Sequence, residues 1–210
     1  MRSLGLAVEV WNNEGKPVVG ERGELVCTKP FPTVPLGFWS DSDRRRFSAA
    51  YFSRFPGVWH HGDYVELTPS GGMIFYGRSD TVLNPGGVRI GTAEIYREIG
   101  RIPWILDSVA VGQRWLGDER IVLFIVISPE HQLTTEAIRE IQDTIRKNAS
   151  PFHVPKKIIA VPDIPRTRSG KVVEIAIKQT IHGEPVQNLE SLANPEALVH
   201  FIDLIALKTN

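Results

Sequence analysis

Alternating apolar and polar residues over the first 80 positions predict a sheet of short strands with little helix. The residues Thr68-Pro69-Ser70-Gly71-Gly72 separate two such runs and are typical of a hairpin turn, while residues 43–52 suit a short helix. Strands are expected at residues 6–11, Gly23–Thr28, Trp59–Leu67 and Met73–Tyr76. Residues 1–79 are therefore predicted to form an antiparallel β subdomain.

The pattern changes after Asp80, where helical periodicities alternate with apolar runs. Ile121–Ile127 is continuously apolar and suits a strand buried on both faces. Helices are expected at Thr92–Ile99, Glu136–Lys147 and Glu174–Ile181, and strands from Thr81 and at Ser108–Gly112, Ile121–Ile127 and Lys157–Val161. We therefore divide the chain at Asp80 and predict a small mixed α/β domain at 80–185, followed by a C-terminal extension at 186–210. The predicted fold class is α+β.

Composition narrows the class of partner. The 24 basic and 24 acidic residues cancel, so the molecule as a whole is not steered toward nucleic acid or a membrane surface. No apolar run reaches the length of a membrane span and the N-terminus lacks a signal-peptide pattern, so we expect a soluble, cytoplasmic protein. The single cysteine, Cys27, falls in a strand-like run and is interpreted as a small buried hydrophobe rather than a nucleophile.

Two motifs contain residues suited to binding a ligand that carries an anionic group and hydroxyl groups. The first reads Gly77-Arg78-Ser79-Asp80 and continues to Gly86-Gly87 and Arg89, where glycines permit close backbone approach and arginines supply fixed positive charge. The second is Asp63 after Gly62, a carboxylate that can accept hydrogen bonds from two vicinal hydroxyls. Each motif alone has a plainer interpretation, as a turn residue for Asp63 and a surface strand residue for Arg89.

A third motif ends in Arg168-Ser169-Gly170-Lys171. Its Pro, Ser and Gly residues predict a mobile loop that carries Lys171 just before a helix. A lysine in such a loop can lower the barrier for a carboxylate to attack a phosphate, by about 3 kcal/mol for one well-placed group. Metal chemistry is not expected, because the adjacent His60 and His61 point to opposite faces of a strand and no other group has ligand spacing.

The order of these motifs resembles the adenylate-forming superfamily of acyl-CoA synthetases, luciferases and peptide-synthetase adenylation domains. The resemblance implies that the domain after residue 80 is a mobile lid. It also implies that Asp63 and Arg78 bind the ribose and that Asp80 is the hinge. Gly86 and Gly87 would line a passage for the coenzyme A thiol, with Arg89 beside it. Lys171 would catalyse adenylation, and Arg146 would contact the 3′-phosphate of coenzyme A. For Arg146, a favourable position at the C-terminus of a helix dipole is an equal alternative.

Within the superfamily, several segments are similar to the acetoacetate–CoA ligases. They include Gly15–Val26, Pro35–Trp39, Phe55–Trp59 and the tail from Pro185 to Glu196. This resemblance implies ATP, AMP, coenzyme A and Mg²⁺ as ligands, with acetoacetyl-CoA, AMP and pyrophosphate as products. Two alternatives remain open: a ligase for another short-chain acid, and a module that binds AMP or coenzyme A without turnover.

The loop that holds the ATP phosphates in family members does not occur among these residues, nor does the segment that meets adenine and Mg²⁺. We therefore expect the chain to be the C-terminal portion of a longer protein, which supplies an N-terminal adenylation domain and most of the Mg²⁺ site. Alone, it is expected to be inactive in forming the acyl-adenylate.

Overall fold

A computed structural model describes residues 4–186 and 188–209. The chain divides into two compact units, one ending at Asp80 and the other beginning at Thr81. Each unit contains its own sheet and its own hydrophobic core. Within the described ranges, no helix combines the length and the apolar character that crossing a membrane requires.

The first unit is a four-stranded antiparallel sheet in which neighbours along the chain are neighbours in space. Its strands are β1 (Val8–Trp11), β2 (Arg22–Cys27), β3 (Trp59–Leu67) and β4 (Met73–Arg78). Helix α1 (Arg45–Tyr51) inserts Phe47 into the core, where Tyr51 stacks on Trp59 with ring centroids 3.8 Å apart. The alternating pattern therefore predicted these strands correctly.

Two local predictions for this unit can be compared with the structure. Helix α1 is shorter than residues 43–52, because Arg44 adopts φ 55° and the Asp41 carboxylate accepts hydrogen bonds from the amides of Arg46 and Phe47. Cys27 is buried in β2, and burial raises the pKa of its thiol. A neutral, packed thiol agrees with its interpretation as a small hydrophobe.

The second unit contains a three-stranded sheet in the order β5-β6-β7. Strands β5 (Ile105–Trp115) and β6 (Asp118–Ile127) form a long antiparallel hairpin, and β7 (Lys157–Ala160) runs parallel to β6. The helices are α2 (Thr92–Ile99), α3 (Thr135–Asn148) and α4 (Glu174–Ile181). Strand β5 extends well beyond the predicted Ser108–Gly112, because polar residues at its two ends pair with β6 although they do not alternate with apolar ones.

Strand β6 is central and buried on both faces, as its continuous apolar run predicted. Ile121, Leu123 and Ile125 pack in one core with α2 and α3. Val122 and Phe124 pack on the opposite face with α4 and the C-terminal segment. Both faces of the sheet are thus covered, and the two ends of the β5–β6 hairpin remain as the places where loops can present functional groups.

The C-terminal segment belongs to this core and not to a separate layer. Residues Pro195–Phe201 and Ile205–Lys208 form 3₁₀ helices, and Phe201 is fully buried with its ring 4.8 Å from that of Phe124. The buried guanidinium of Arg120 donates to the carbonyls of Leu207 and Thr209. Gln187 and Asn210 lie outside the described residues.

The strand expected from Thr81 does not form. Leu83 and Ile90 instead make one isolated antiparallel bridge, with backbone hydrogen bonds of 2.9 and 2.8 Å, which closes a loop around Pro85–Gly87. Gly86 and Gly87 both have positive φ, so the chain turns back before a ladder can extend.

Candidate functional site

In the first unit, Asp63 on β3 pairs directly with Arg78 on β4. Oδ1 of Asp63 lies 3.5 Å from Nη1 of Arg78, and Nη2 of Arg78 lies 3.5 Å from Oδ2 of Asp80. The antiparallel register brings together two residues that are 15 positions apart in the sequence. The two residues predicted to bind a ribose and the predicted hinge residue are thus adjacent in space.

His61 also belongs to this cluster, although from the sequence we considered it only as a metal ligand and did not expect it to be one. Its Nδ1 lies 2.7 Å from Oδ2 of Asp63, and its carbonyl accepts a hydrogen bond from Arg78. Partial burial by itself would raise the pKa of Asp63, but the hydrogen bond and charge of His61, together with Arg78, outweigh it and lower the pKa below its usual value. Asp63 is therefore held as a carboxylate, able to accept hydrogen bonds.

A cavity of about 460 Å³ adjoins this cluster in the first unit. Its lining includes Tyr51, Gly62, Arg78 and Asp80. Gly62 has φ +85°, and a Cβ atom there would lie 2.7 Å from Nη2 of Arg78. The glycine is therefore required both for the backbone conformation and for the guanidinium that lies against it.

A buried carboxylate that the sequence analysis missed anchors the residue before Asp80. Glu24 on β2 is fully buried, and its carboxylate contacts Nη2 of Arg54 at 3.2 Å and Nε2 of His60 at 3.0 Å. It also accepts a hydrogen bond from the hydroxyl of Ser79, whose amide donates to the Gly62 carbonyl at 3.0 Å. Ser79 is thus fixed to the first sheet by side chain and backbone. Only the burial of a charged residue, which sequence patterns do not reveal, identifies this network.

In the second unit, Lys171 lies on a hydrogen-bonded hairpin, where the sequence predicted an irregular loop. Arg166 and Val172 form an antiparallel bridge, and the amide of Thr167 donates to the carbonyl of Lys171 at 2.8 Å. The hydroxyl of Thr167 accepts from the amide of Lys171 at 3.1 Å. These contacts satisfy the backbone groups that Pro, Ser and Gly would otherwise leave to water.

The side chain of Lys171 is exposed at the tip of this hairpin. Nearby, Nη1 of Arg166 donates to the Gly170 carbonyl at 2.6 Å, and its Nη2 donates to Oδ2 of Asp107 at 2.5 Å. Asp107 lies near the start of β5, so this arginine connects the hairpin to one end of the central sheet. The hairpin presents a cation to solvent from a fixed support.

The loop with Gly86 and Gly87 is attached to the start of β6. Both carboxylate oxygens of Asp118 accept from the amide of Gly86, at 3.1 and 3.0 Å, and Oε1 of Glu119 accepts from the amide of Asn84 at 2.7 Å. Gly86 also lines a cavity of about 470 Å³ with Phe152 and Lys156 among its walls. Arg89 is half-buried in the segment that leads from this loop into α2. The structure thus brings Gly86, Gly87 and Arg89 into one loop region, apart from Lys171.

Arg146 is not part of that cavity wall. It lies in the last turn of α3, with Nη1 2.6 Å from Oδ1 of Asp143, one turn earlier on the same helix. This contact agrees with its alternative interpretation as a cation near a helix C-terminus. Among residues 4–186 and 188–209, no group of three or more His, Cys, Asp or Glu is arranged to hold a metal ion.

The two loops of the second unit lie at opposite ends of the β5–β6 hairpin. The Lys171 hairpin is bound to Asp107, and the Gly86 loop is bound to Asp118, which pairs with Trp115 at the far end of β5. Trp115 lies eight positions after Asp107 along β5, a distance of about 26 Å at ~3.3 Å per residue. The hairpin with the exposed lysine and the glycine loop are therefore attached near opposite ends of one sheet.

Comparisons with known proteins show what this chain is similar to. Residues 98–171 match the family model described as the AMP-binding enzyme C-terminal domain. The chain is 56% identical over 206 residues to acetoacetyl-coenzyme A synthetase of Rhizobium meliloti (strain 1021), covering 98% of this chain and 32% of that protein. It is 47% identical over 199 residues to acetoacetyl-CoA synthetase of Gallus gallus, covering 94% of this chain and 30% of that protein.

A solved structure is similar over nearly the same range. Acetoacetyl-CoA synthetase from Streptomyces lividans matches with a TM-score of 0.90 and 38% identity, covering 98% of this chain and 31% of that one. The chain thus spans about a third of the length of the relatives it matches. Residues 98–171 therefore belong to the AMP-binding enzyme C-terminal domain, and nearly the whole chain is homologous to about a third of the acetoacetyl-CoA synthetases.

Proposed function

We propose that this chain is the C-terminal part of an ATP-dependent acid–CoA ligase that converts acetoacetate, ATP and coenzyme A to acetoacetyl-CoA, AMP and pyrophosphate. The observation that carries the proposal is the spacing of the Lys171 hairpin and the Gly86 loop at opposite ends of the β5–β6 hairpin. The two half-reactions take place on one bound acyl group but need different protein groups beside it. A unit that carries the lysine at one end and the glycine loop at the other can present each of them in turn by rotating.

In the first half-reaction, an acetoacetate carboxylate oxygen attacks the α-phosphorus of ATP, and the bond to the bridging oxygen breaks to release pyrophosphate. Lys171 stabilises the negative charge that develops on the phosphorus oxygens. Asp63 accepts hydrogen bonds from the ribose hydroxyls, for which its lowered pKa keeps it ionised. Arg78 keeps Asp63 oriented and contacts the nucleotide from the adjacent strand.

In the second half-reaction, the coenzyme A sulfur, having lost its proton, attacks the acyl carbon and AMP leaves. Gly86 and Gly87 line the passage for the thiol, because the absence of side chains leaves room for a narrow pantetheine arm. Arg89 lies beside that passage. Asp80 acts as the hinge between the half-reactions, since Ser79 is fixed to the first sheet by Glu24 and Gly62.

The Mg²⁺ ion and the 3′-phosphate of coenzyme A complete the proposed ligand set. The Mg²⁺ that accompanies ATP has no three-residue donor group among the described residues, so the proposal assigns most of its ligands to an N-terminal adenylation domain. Arg146 remains a candidate for the 3′-phosphate of coenzyme A, for which it would exchange its Asp143 partner.

The experiment is an assay of the two half-reactions in the full-length enzyme of which we propose this chain is part. Acetoacetate-dependent exchange of pyrophosphate into ATP should fall by roughly 10²–10³-fold in Lys171→Ala, the range seen when one charge-stabilising group is removed. Thioester formation from supplied acetoacetyl-AMP should be almost unchanged. Lys208→Ala is the matched control, because Lys208 is also exposed and is paired with Asp203.

Three results would contradict the proposal. Equal losses in both half-reactions would show that Lys171 has no specific role in adenylation. Faster exchange with another short-chain acid than with acetoacetate would show that the substrate is a different acid. Tight binding of AMP by the full-length protein without any exchange would favour a binding module. The isolated 210-residue chain should show no exchange, and robust turnover by it would disprove the need for an N-terminal domain.

A further inference from the structure

A short segment of the C-terminal region lies directly along the Lys171 hairpin. The amide of Ala193 donates to the carbonyl of Arg166 at 2.8 Å, and the amide of Arg168 donates to the carbonyl of Ser191 at 3.1 Å. Thr167 and Leu192 form an antiparallel bridge between these bonds. One strand of the hairpin is therefore paired on both sides, with Val172 on one side and Leu192 on the other.

The side chain of Asn194 completes this contact. Its Oδ1 accepts from the amide of Arg166 at 2.8 Å, while its Nδ2 donates to Oδ2 of Asp163 at 2.6 Å and to the carbonyl of Ile164 at 3.1 Å. One amide group thus binds the backbone on both sides of Pro165. Donor and acceptor are both required, and asparagine supplies both on one short side chain.

The segment that contacts the hairpin is itself anchored in the core. Leu192 is buried, and Phe201, a few residues beyond Asn194, is fully buried against Phe124 of β6. Packed interiors have little free volume, so an element anchored in this way has one position. Residues 191–194 therefore connect the base of the Lys171 hairpin to the same sheet that Arg166 contacts through Asp107.

We propose that residues 191–194 position Lys171 for adenylation, with Asn194 as the positioning residue; this inference rests on the proposed function of Lys171. Gly170 has φ +81° next to the exposed lysine, a conformation that glycine adopts readily, so the local sequence alone does not fix the course of the hairpin tip. The contacts at Arg166 and Thr167 fix the backbone of the strand that leads to this tip. The benefit is confined to the half-reaction in which Lys171 contacts the substrate.

Asn194→Ala in the full-length enzyme tests the proposal. We expect kcat for pyrophosphate exchange to fall roughly 10- to 100-fold with little change in the KM for ATP. A displacement of a catalytic group by about 1 Å can lower the rate by that much. Thioester formation from supplied acyl-adenylate should stay within about twofold, as for a mutation that leaves the other end of the hairpin intact. Asn148→Ala, at the exposed end of α3, is the control for loss of an asparagine.

A pair of variants separates positioning from simple loss of stability. Asn194→Asp keeps the acceptor for the Arg166 amide but sets a carboxylate against that of Asp163, so exchange should fall. Adding Asp163→Asn returns a donor to the 163–194 contact, so the double variant Asn194→Asp/Asp163→Asn should recover most of the exchange rate. A merely destabilised enzyme would lose both half-reactions together, whereas a positioning role requires that only exchange falls in Asn194→Asp and recovers in the double variant.

The outcomes also separate this inference from the proposed function. No exchange by the unmodified enzyme with any acid overturns the proposed function and this role with it. Normal exchange by the unmodified enzyme, together with unchanged exchange in Asn194→Ala, overturns only the positioning role. A loss of both half-reactions by the same factor, or a double variant as slow as Asn194→Asp, overturns it as well.

Discussion

Asp107 and Asp118 lie at opposite ends of the β5–β6 hairpin, and each carboxylate binds one of the two loops to which we assign a function. Asp107 binds the guanidinium of Arg166 at 2.5 Å, and Asp118 accepts from the Gly86 amide at 3.0 Å. Every residue of β5 from Asp107 to Trp115 pairs with β6, so the two loops are attached near opposite ends of one continuous ladder. Under the proposed function, one loop replaces the other at a fixed substrate when the whole unit turns.

The Asp118 contact gives a prediction for the second half-reaction. Asp118→Ala should slow thioester formation from supplied acyl-adenylate by roughly tenfold, because a mutation that releases a positioned loop typically costs this much or more. Pyrophosphate exchange should be almost unchanged, since the Lys171 hairpin is held at the other end. Asp118→Asn, which keeps an oxygen acceptor for the Gly86 amide, is the control. A larger effect on exchange than on thioester formation would contradict the assignment of Gly86 and Gly87.

Gly62 offers a comparison between backbone strain and a side-chain clash. Gly62→Ala and Gly71→Ala both force an alanine into positive φ, which costs about 1–2 kcal/mol of unfolding free energy in either case. Only at Gly62 does the new Cβ meet the Arg78 guanidinium, whereas nothing lies within 4 Å at Gly71. We expect similar urea midpoints for the two variants but weaker AMP binding for Gly62→Ala alone, measured by titration of the full-length protein. Equal AMP affinity of the two variants would mean that Arg78 does not contribute to binding the nucleotide.

The lowered pKa of Asp63 predicts a pH dependence of stability. Folding favours the ionised carboxylate, so its contribution is present above the unfolded pKa of about 3.9 and is lost as the pH falls through the lower folded value. Asp63→Asn should therefore be less stable than the unmodified chain at pH 7, and the difference should shrink below about pH 4. Urea unfolding at pH 7 and pH 3 measures it. A difference that is the same at both pH values would mean that Asp63 is not stabilised as an anion.

The burial of Phe201 predicts that the C-terminal segment is required for the stability of the second unit. Phe201→Ala should lower the unfolding free energy by about 3–5 kcal/mol, the usual cost of a large cavity in a packed core. Val199→Ala, at an exposed position of the same 3₁₀ helix, should cost less than about 0.5 kcal/mol. Chemical denaturation of the chain compares them. Equally small effects would show that the segment is peripheral.

Local patterns predicted most of the elements. Alternation indicated β3 and β4 and the hairpin turn between them, and the continuous apolar run at Ile121–Ile127 indicated a strand covered on both faces. At Thr81 the predicted strand is replaced by a loop in which two glycines of positive φ turn the chain back, and the Lys171 loop pairs with the distant residue Leu192. The first outcome depends on the backbone conformation of Gly86 and Gly87, and the second on a contact that no short window of sequence contains.

The sequence by itself determined the type and order of the elements, the division near Asp80 and the residues that resemble a ligase motif. The tertiary structure alone decided that His61 and Asp80 join the Asp63–Arg78 pair, that Glu24 holds Ser79, and that Asn194 holds the Lys171 hairpin. The physical reason is the distance along the chain between the residues that make each contact. Hydrophobic periodicity reports how each segment meets the core, whereas hydrogen bonds between residues 28 or 55 positions apart depend on how the segments pack together.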